Sequence, residues 1–279
     1  MQTLSRSVRR EAEGGQPLPA PFRSWEQHGI RFRQSSVSML AGIPGSNKTM
    51  LALNAIANMG VSTLMFSTDS SLETVRARLL SIATGEKTEA TESWAYAQPE
   101  RAEQALQRFD FMALDFRPDP DLDHIWLSAY AYHEREGMYP SQIVVDIASD
   151  IGHDTGDEWG SLRDLMRQSK VLARETGAHV LLVHHASDSQ STKRPCPRRS
   201  DIHGKVSAIP EVIVTCGTDD QDRLYVACVK NRWGRSDKNA DSPIPMALRA
   251  ECAYVGDYIQ PAYAGYEHGH TADEGQWWK

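Results

Sequence analysis

Residues 42–49 read Gly42-Ile43-Pro44-Gly45-Ser46-Asn47-Lys48-Thr49, and the fold turns on how this octapeptide is read. The apolar stretch Val37–Ala41 precedes it and a helical pattern, Thr49–Asn58, follows. In a strand, glycine turn and helix in that order, backbone N–H groups at the helix N-terminus converge on phosphate oxygens, a lysine neutralises the β and γ oxygens, and a hydroxyl serves Mg²⁺. Gly42, Pro44, Gly45, Ser46, Asn47, Lys48, Thr49 and Met50 are therefore expected to line a bound nucleotide. Asn47 stands where the pattern GxxxxGK[ST] has its second glycine. Asparagine is the residue, after glycine, that best tolerates positive φ. The spacing of Gly42, Lys48 and Thr49 also arises by composition alone; the flanking strand and helix and Gly45 favour the phosphate loop.

Outward from the loop, strands and helices alternate. Strands are expected at Val37–Ala41, Val61–Ser67, Phe111–Asp115, Gln142–Ile147, Ala178–His184, Glu211–Cys216 and Arg223–Lys230. Helices are expected at Thr49–Asn58, Leu72–Thr84, Pro99–Arg108, Leu122–Glu136 and Trp159–Thr176. Ser70 and Glu73 form a capping box for the second helix, and Gly60, Gly85, Gly137 and Gly177 stand where helices stop. This alternation implies βαβ units and a mainly parallel sheet with helices on both faces. The last two expected strands are joined by the turn-rich 217–222, so the C-terminal extension of the sheet is expected to be antiparallel. The divisions expected are an N-terminal helix (Leu4–Glu13) and linker segment over 1–33, an α/β domain carrying the phosphate loop over 34–259, and a flexible tail over 260–279.

The composition excludes several classes of protein. The chain has 279 residues, 40% hydrophobic and 24% charged, in the range of a soluble globular protein rather than a disordered or fibrous one. Its apolar runs fall far short of a membrane span, and no apolar core follows Arg6, Arg9 and Arg10. Cys196, Cys216, Cys228 and Cys252 lie too far apart for a CxxC motif and are too few to staple a secreted scaffold. A reduced, cytoplasmic protein is expected. Thirty Lys+Arg against 37 Asp+Glu give a net charge of −7, which argues against a surface coated for duplex DNA. A ring holding one strand in its hole needs basic loops only there.

A phosphate loop needs a carboxylate to hold Mg²⁺ through water, at the end of an apolar strand beside it. Ile143-Val144-Val145-Asp146 fits, so Thr49 and Asp146 are the expected metal residues. A further carboxylate should orient and deprotonate the attacking water. Asp69, after Phe66-Ser67-Thr68, either does this or caps the next helix, with Glu73 as the fallback.

With the phosphate loop, Phe66–Ser70, Ile143–Asp146, His184-His185 and Lys230-Asn231-Arg232 in this order, the chain resembles the RecA-like ATPase core of hexameric replicative helicases over about residues 22–259. The DnaB-type enzymes are nearest and, for Val183-His184-His185-Ala186-Ser187, the RepA-type plasmid helicases. The resemblance implies a phage- or plasmid-encoded RecA-like P-loop NTPase that hydrolyses ATP with Mg²⁺. It implies that Asp69 stands in for the family's catalytic glutamate and that His184 or His185, on opposite faces of a strand, senses the γ-phosphate. It implies that Lys230 and Arg232, which share a strand face, reach a neighbouring subunit's nucleotide. A loop entering the ring would carry Lys193, Arg194, Arg198, Arg199 and Lys205 onto single-stranded DNA. The Leu4–Glu13 helix would dock on a neighbour. The implied assembly is a homo-oligomer, a hexameric ring, with replication proteins as partners and no membrane. A RecA-type recombinase or annealing ATPase, or a weakly hydrolysing ATP-binding loader or regulator, would share these motifs.

Overall fold

The computed structural model describes residues 15–151, 158–187, 194–219 and 221–259. The expected helix Leu4–Glu13 and the tail from residue 260 lie outside them. The central sheet has nine strands: β1 (Val37–Gly42), β2 (Thr63–Ser67), β3 (Met112–Asp115), β4 (Gln142–Asp146), β5 (His179–His185), β6 (Val212–Thr218), β7 (Leu224–Asn231), β8 (Ile244–Arg249) and β9 (Tyr254–Asp257). Their order is β3-β2-β4-β5-β1-β6-β7-β8-β9. The first six in this order are parallel and the last three run antiparallel. β1, β2 and β4 are buried at every position, which is why they read as unbroken apolar runs rather than alternating ones.

The helices are α1 (Arg23–Gln27), α2 (Lys48–Met59), α3 (Leu72–Thr84), α4 (Thr88–Ala97), α5 (Pro99–Leu106), α6 (Leu122–Glu136) and α7 (Glu158–Thr176). Successive strand residues serve opposite faces. Leu40, Met65, Val144 and Leu181 pack with α2 and α3 through Leu51, Leu53, Ile56, Val75 and Leu79. Met39, Phe66, Val145 and Leu182 pack with α6 and α7 through Ile125, Leu162, Leu165 and Met166. Each such side chain contributes roughly 1.5–3 kcal/mol of transfer free energy.

Five elements differ from expectation for identifiable reasons. The cap of α3 is Ser71, which accepts from the Thr74 N–H; Ser70 lies one residue earlier, and Glu73 sits in the exposed first turn. The helix expected through Arg108 leaves α geometry after Leu106 and finishes as a 3₁₀ turn over Gln107–Phe109. α4 was not anticipated because its periodic residues are mostly small or polar; it is held by Trp94, whose Nε1 donates to Glu86 at 3.0 Å. β8 carries Pro245 and an exposed alternate row, and β9 is only four residues long, so neither gives a strand signal.

Residues 15–33, expected as linker, supply core. Leu18, Phe22, Trp25, Ile30 and Phe32 are buried with the α2 layer, and Pro17 bridges to Arg33. Asp257 of β9 accepts the Arg23 and Ser24 N–H groups, each at 2.9 Å, so a carboxylate caps the start of α1.

His179 is fully buried, stacked on Phe32 at 4.6 Å and 3.3 Å from Gln142 Nε2. Burial pushes its pKa down to about 3. The folded protein keeps it neutral while the unfolded chain takes up a proton below about pH 6.5. This contribution to stability is therefore complete above pH 6.5 and is lost as pH falls from there toward 3, at about 1.4 kcal/mol per pH unit for one proton. Denaturant melts from pH 7.5 to 5 should show that slope, and His179→Leu should remove about one proton's share. An unchanged slope in the variant would assign the acid sensitivity elsewhere.

Candidate nucleotide site

Parallel pairing brings the carboxyl ends of neighbouring strands together, the place where open α/β sheets bind ligands. Gly42 of β1 is level with His185 of β5, and Ser67 of β2 with Asp146 of β4. The turns that follow these strands therefore converge. Pro44, Gly45, Asn47, Lys48, Thr49, Met50, Asp69 and His185, with Arg78 and Ile147, line a cavity of about 350 Å³.

The loop's conformation follows from its residues. Gly45 (φ 79°) and Asn47 (φ 62°) are both left-handed, and Asn47 places its neighbours at the N-terminus of α2. A Cβ on Gly42 would collide with Ser46 Oγ and lie 2.7 Å from the Cys216 carbonyl, so only glycine lets the loop close on β6. Gly42 and Ser46 thus shape the loop from behind: Ser46 is buried, its Oγ 3.8 Å from Cys216 Sγ. The Lys48 ammonium donates to the Ile43 carbonyl at 2.9 Å. Burial lowers its pKa, opposed by the fields of Cys216, Asp146 and Asp69.

Asp146 is 1% exposed, with the Thr49 side chain near enough to favour its charged form, while its Oδ1 is buried without a partner. Burial, reinforced by Asp69, pushes its pKa up to about 6. A buried carboxylate oxygen beside a threonine hydroxyl suits a hydrated divalent cation bridging to phosphate. Among the described residues no cluster of three or more His, Cys, Asp or Glu side chains offers an all-protein metal cage. Asp69 is exposed at the cavity wall and leaves the helix cap to Ser71.

Thr68, which the sequence did not single out, ties the two carboxylate turns together. Its N–H donates to the Asp146 carbonyl at 2.8 Å, its hydroxyl to Asp150 Oδ2 at 3.0 Å, and the Ile147 N–H donates to that hydroxyl at 2.9 Å. No spacing rule announces such a residue.

The two histidines separate as strand geometry requires. His185 faces the cavity, with burial and Lys48 lowering its pKa. His184 is buried away from the cavity lining and donates from Nε2 to the His203 carbonyl at 3.3 Å, its pKa pushed down to about 4 chiefly by burial.

Lys230 and Arg232 stand at the other end of the sheet. Lys230 pairs with Ile213 near the start of β6, whereas Gly42 pairs with Cys216 near its end. Both cations line a groove of about 600 Å³ with Arg167, Lys170 and Arg174 of α7, Arg199 and Glu211. Lys230 Nζ donates to the Ser207 and Ala208 carbonyls at 3.0 and 2.7 Å, and Arg232 Nη1 to Glu211 Oε1 at 3.0 Å. Burial and the charges of Arg199 and Arg232 push Lys230 down to about 8. The α7 cations were missed because helix spacing alone reads them as a solvated face.

The expected DNA-binding group is dispersed. Arg194 pairs with Asp241 and donates to the Asn239 carbonyl. Arg198 is half-buried, and Arg199 bonds Ser207 inside the basic groove. Carboxylate and carbonyl partners hold Arg194 and Arg199 to the domain. Lys193 and the side chain of Lys205 lie outside the described residues.

A phosphate loop at the switch of a mainly parallel sheet, with carboxylates at the adjoining strand ends, defines a RecA-like P-loop NTPase. A family model described as an AAA domain matches residues 6–191, and the chain belongs to that family. Over 277 residues it is 29% identical to the Gene 65 protein of Mycobacterium phage L5, covering 93% of this chain and 98% of that one. A second mycobacteriophage protein of the same name is 28% identical over 233 residues, covering 78% and 94%. Among solved structures, an isolated ATPase domain superposes with a TM-score of 0.77 at 14% identity, covering 92% of this chain and 96% of that one. A DnaB-like replicative helicase, solved to show its interactions with primase, gives 0.76 at 15% identity, covering 93% and 68%. Among the described residues no helix is long and apolar enough to cross a membrane.

Proposed function

We propose that the protein is a cytoplasmic, Mg²⁺-dependent ATP hydrolase of the replicative-helicase type that assembles as a ring, a hexamer, and moves on single-stranded DNA. The observation that carries this reading is the meeting of Lys48, the Thr49–Asp146 pair with its unpartnered oxygen, and Asp69 at the ends of β1, β4 and β2. The amides of the loop and the N-terminus of α2 bind the phosphates. Lys48 exchanges the Ile43 carbonyl for phosphate oxygen, which relieves the cost of its burial. Thr49 and Asp146 would hold Mg²⁺, which when bound neutralises phosphate charge. Asp69 orients the attacking water and takes its proton, and His185 registers the γ-phosphate. Lys230 and Arg232 act on the neighbour's nucleotide, since their own loop lies at the far end of the sheet. Lys193, Arg194, Arg198, Arg199 and Lys205 remain the proposed DNA contacts, with Arg199 shared with the basic groove. Replication proteins are the proposed partners.

The test measures ATP turnover with and without a single-stranded oligonucleotide. The protein should hydrolyse ATP, faster with DNA, and Lys48→Ala should reduce turnover by about 10²-fold or more with an unchanged melting temperature. Equal turnover in the variant would overturn the phosphate-loop assignment. Nucleotide binding without turnover in the parent protein would favour the loader or regulator.

A further inference from the structure

We propose that Arg78 is a specificity residue for the triphosphate, contacting the γ-phosphate within its own subunit; this rests on the nucleotide-site reading above. Arg78 contributes the guanidinium lining the cavity that holds Lys48, Thr49 and Asp69. It is half-buried on α3, the helix that starts directly after the Asp69 turn, so the two side chains share one wall. Among the described residues no carboxylate lies within ion-pair distance of it, whereas Arg31, Arg101, Arg135, Arg223 and Arg232 are all paired. Its hydrogen bond, from Nη1 to Ser70 Oγ, is 3.5 Å long, at the limit for such a contact. A half-buried guanidinium with so little to bond is placed to take two oxygens of a phosphoryl group.

The position along the nucleotide follows from two neighbours. The loop amides and the N-terminus of α2 serve the phosphates nearer the nucleoside, and Asp146 marks the end where the metal and the γ-phosphate belong. Arg78 is close enough to Asp146 for its charge to favour the carboxylate. The charge balance agrees. Asp69 lines this cavity and the buried Asp146 lies close enough to act on Lys48, and a bound triphosphate adds further negative charge; Arg78 is a second cation from the same subunit. ADP does not reach this position, so Arg78 discriminates between the two nucleotides.

The experiment is calorimetric titration of the full-length protein with Mg²⁺ and either ADP or a nonhydrolysable ATP analogue with an imido bridge. Arg78→Ala should weaken the triphosphate analogue by roughly 10- to 100-fold and change ADP affinity by less than about 2-fold. Arg78→Lys, which keeps the charge and loses the fork, should recover part of the loss and stands in if the alanine variant melts early. Equal weakening of both nucleotides, or of neither, overturns the proposal while leaving the nucleotide site intact. A parent protein that binds neither nucleotide overturns the site itself, and the two failures are thereby distinguished.

Discussion

Arg232→Ala protein is expected to bind ATP normally and to hydrolyse it about 10³-fold or more slowly, the scale of losing a charge supplied to the transition state. The geometry makes this a prediction about assembly. Lys230 is level with Ile213 and Arg232 follows the residue paired with Val212, while the phosphate loop starts level with Cys216 near the other end of β6, roughly 10 to 17 Å of strand away. In the single chain Arg232 pairs with Glu211 and Lys230 with backbone carbonyls, so the cations are held ready but serve no nucleotide of their own. Turnover should therefore rise faster than linearly with protein concentration. The decisive measurement mixes Arg232→Ala with Lys48→Ala protein, each inactive alone. Some interfaces in mixed assemblies join an intact loop to an intact finger, and part of the activity should return. No recovery in mixtures shown to co-assemble would confine Arg232 to its own subunit.

Asp69→Asn is expected to keep ATP binding and lose turnover by about 10²- to 10⁴-fold, the usual contribution of a positioned general base. The amide is nearly isosteric with the carboxylate but cannot take a proton. Asp69 is exposed and is not the cap of α3, so the substitution should leave the fold alone. Thermal melts check the second statement and single-turnover hydrolysis the first. Full activity in the variant would shift the base to Glu73, which sits in the first turn of α3.

The loop, the sheet and most of the helices were legible because their signals are local. Val37–Gly42 and Gln142–Asp146 are apolar because both faces of a parallel sheet are covered, and the glycines and Asn47 mark backbone conformations that few other residues adopt. α4 and β8 were not, because each owes its place to packing that no residue period announces: Trp94 bonds Glu86 outside the helix, and Ile244 pairs with Val226 of β7. The linker reading of residues 15–33 failed for the same reason. Leu18, Phe22, Trp25, Ile30 and Phe32 are sparse and follow on Pro17, Pro19 and Pro21, yet Trp25 and its neighbours are buried once the α2 layer exists to receive them.

The sequence by itself determined that a strand, a phosphate loop and a helix follow one another, that Asp146 ends a strand and Asp69 follows one, and that His184 and His185 face opposite ways. These are consequences of periodicity and of backbone preference, which act over a few residues. Only the tertiary structure decided that His185 and not His184 faces the cavity, that Thr68 couples the two carboxylate turns, that Arg78 enters the site from α3, and that Arg199 joins Lys230 in the basic groove. Those facts depend on which strand lies beside which and on the register between them. Strand order follows from burying two apolar faces at once, and that is a property of the whole chain.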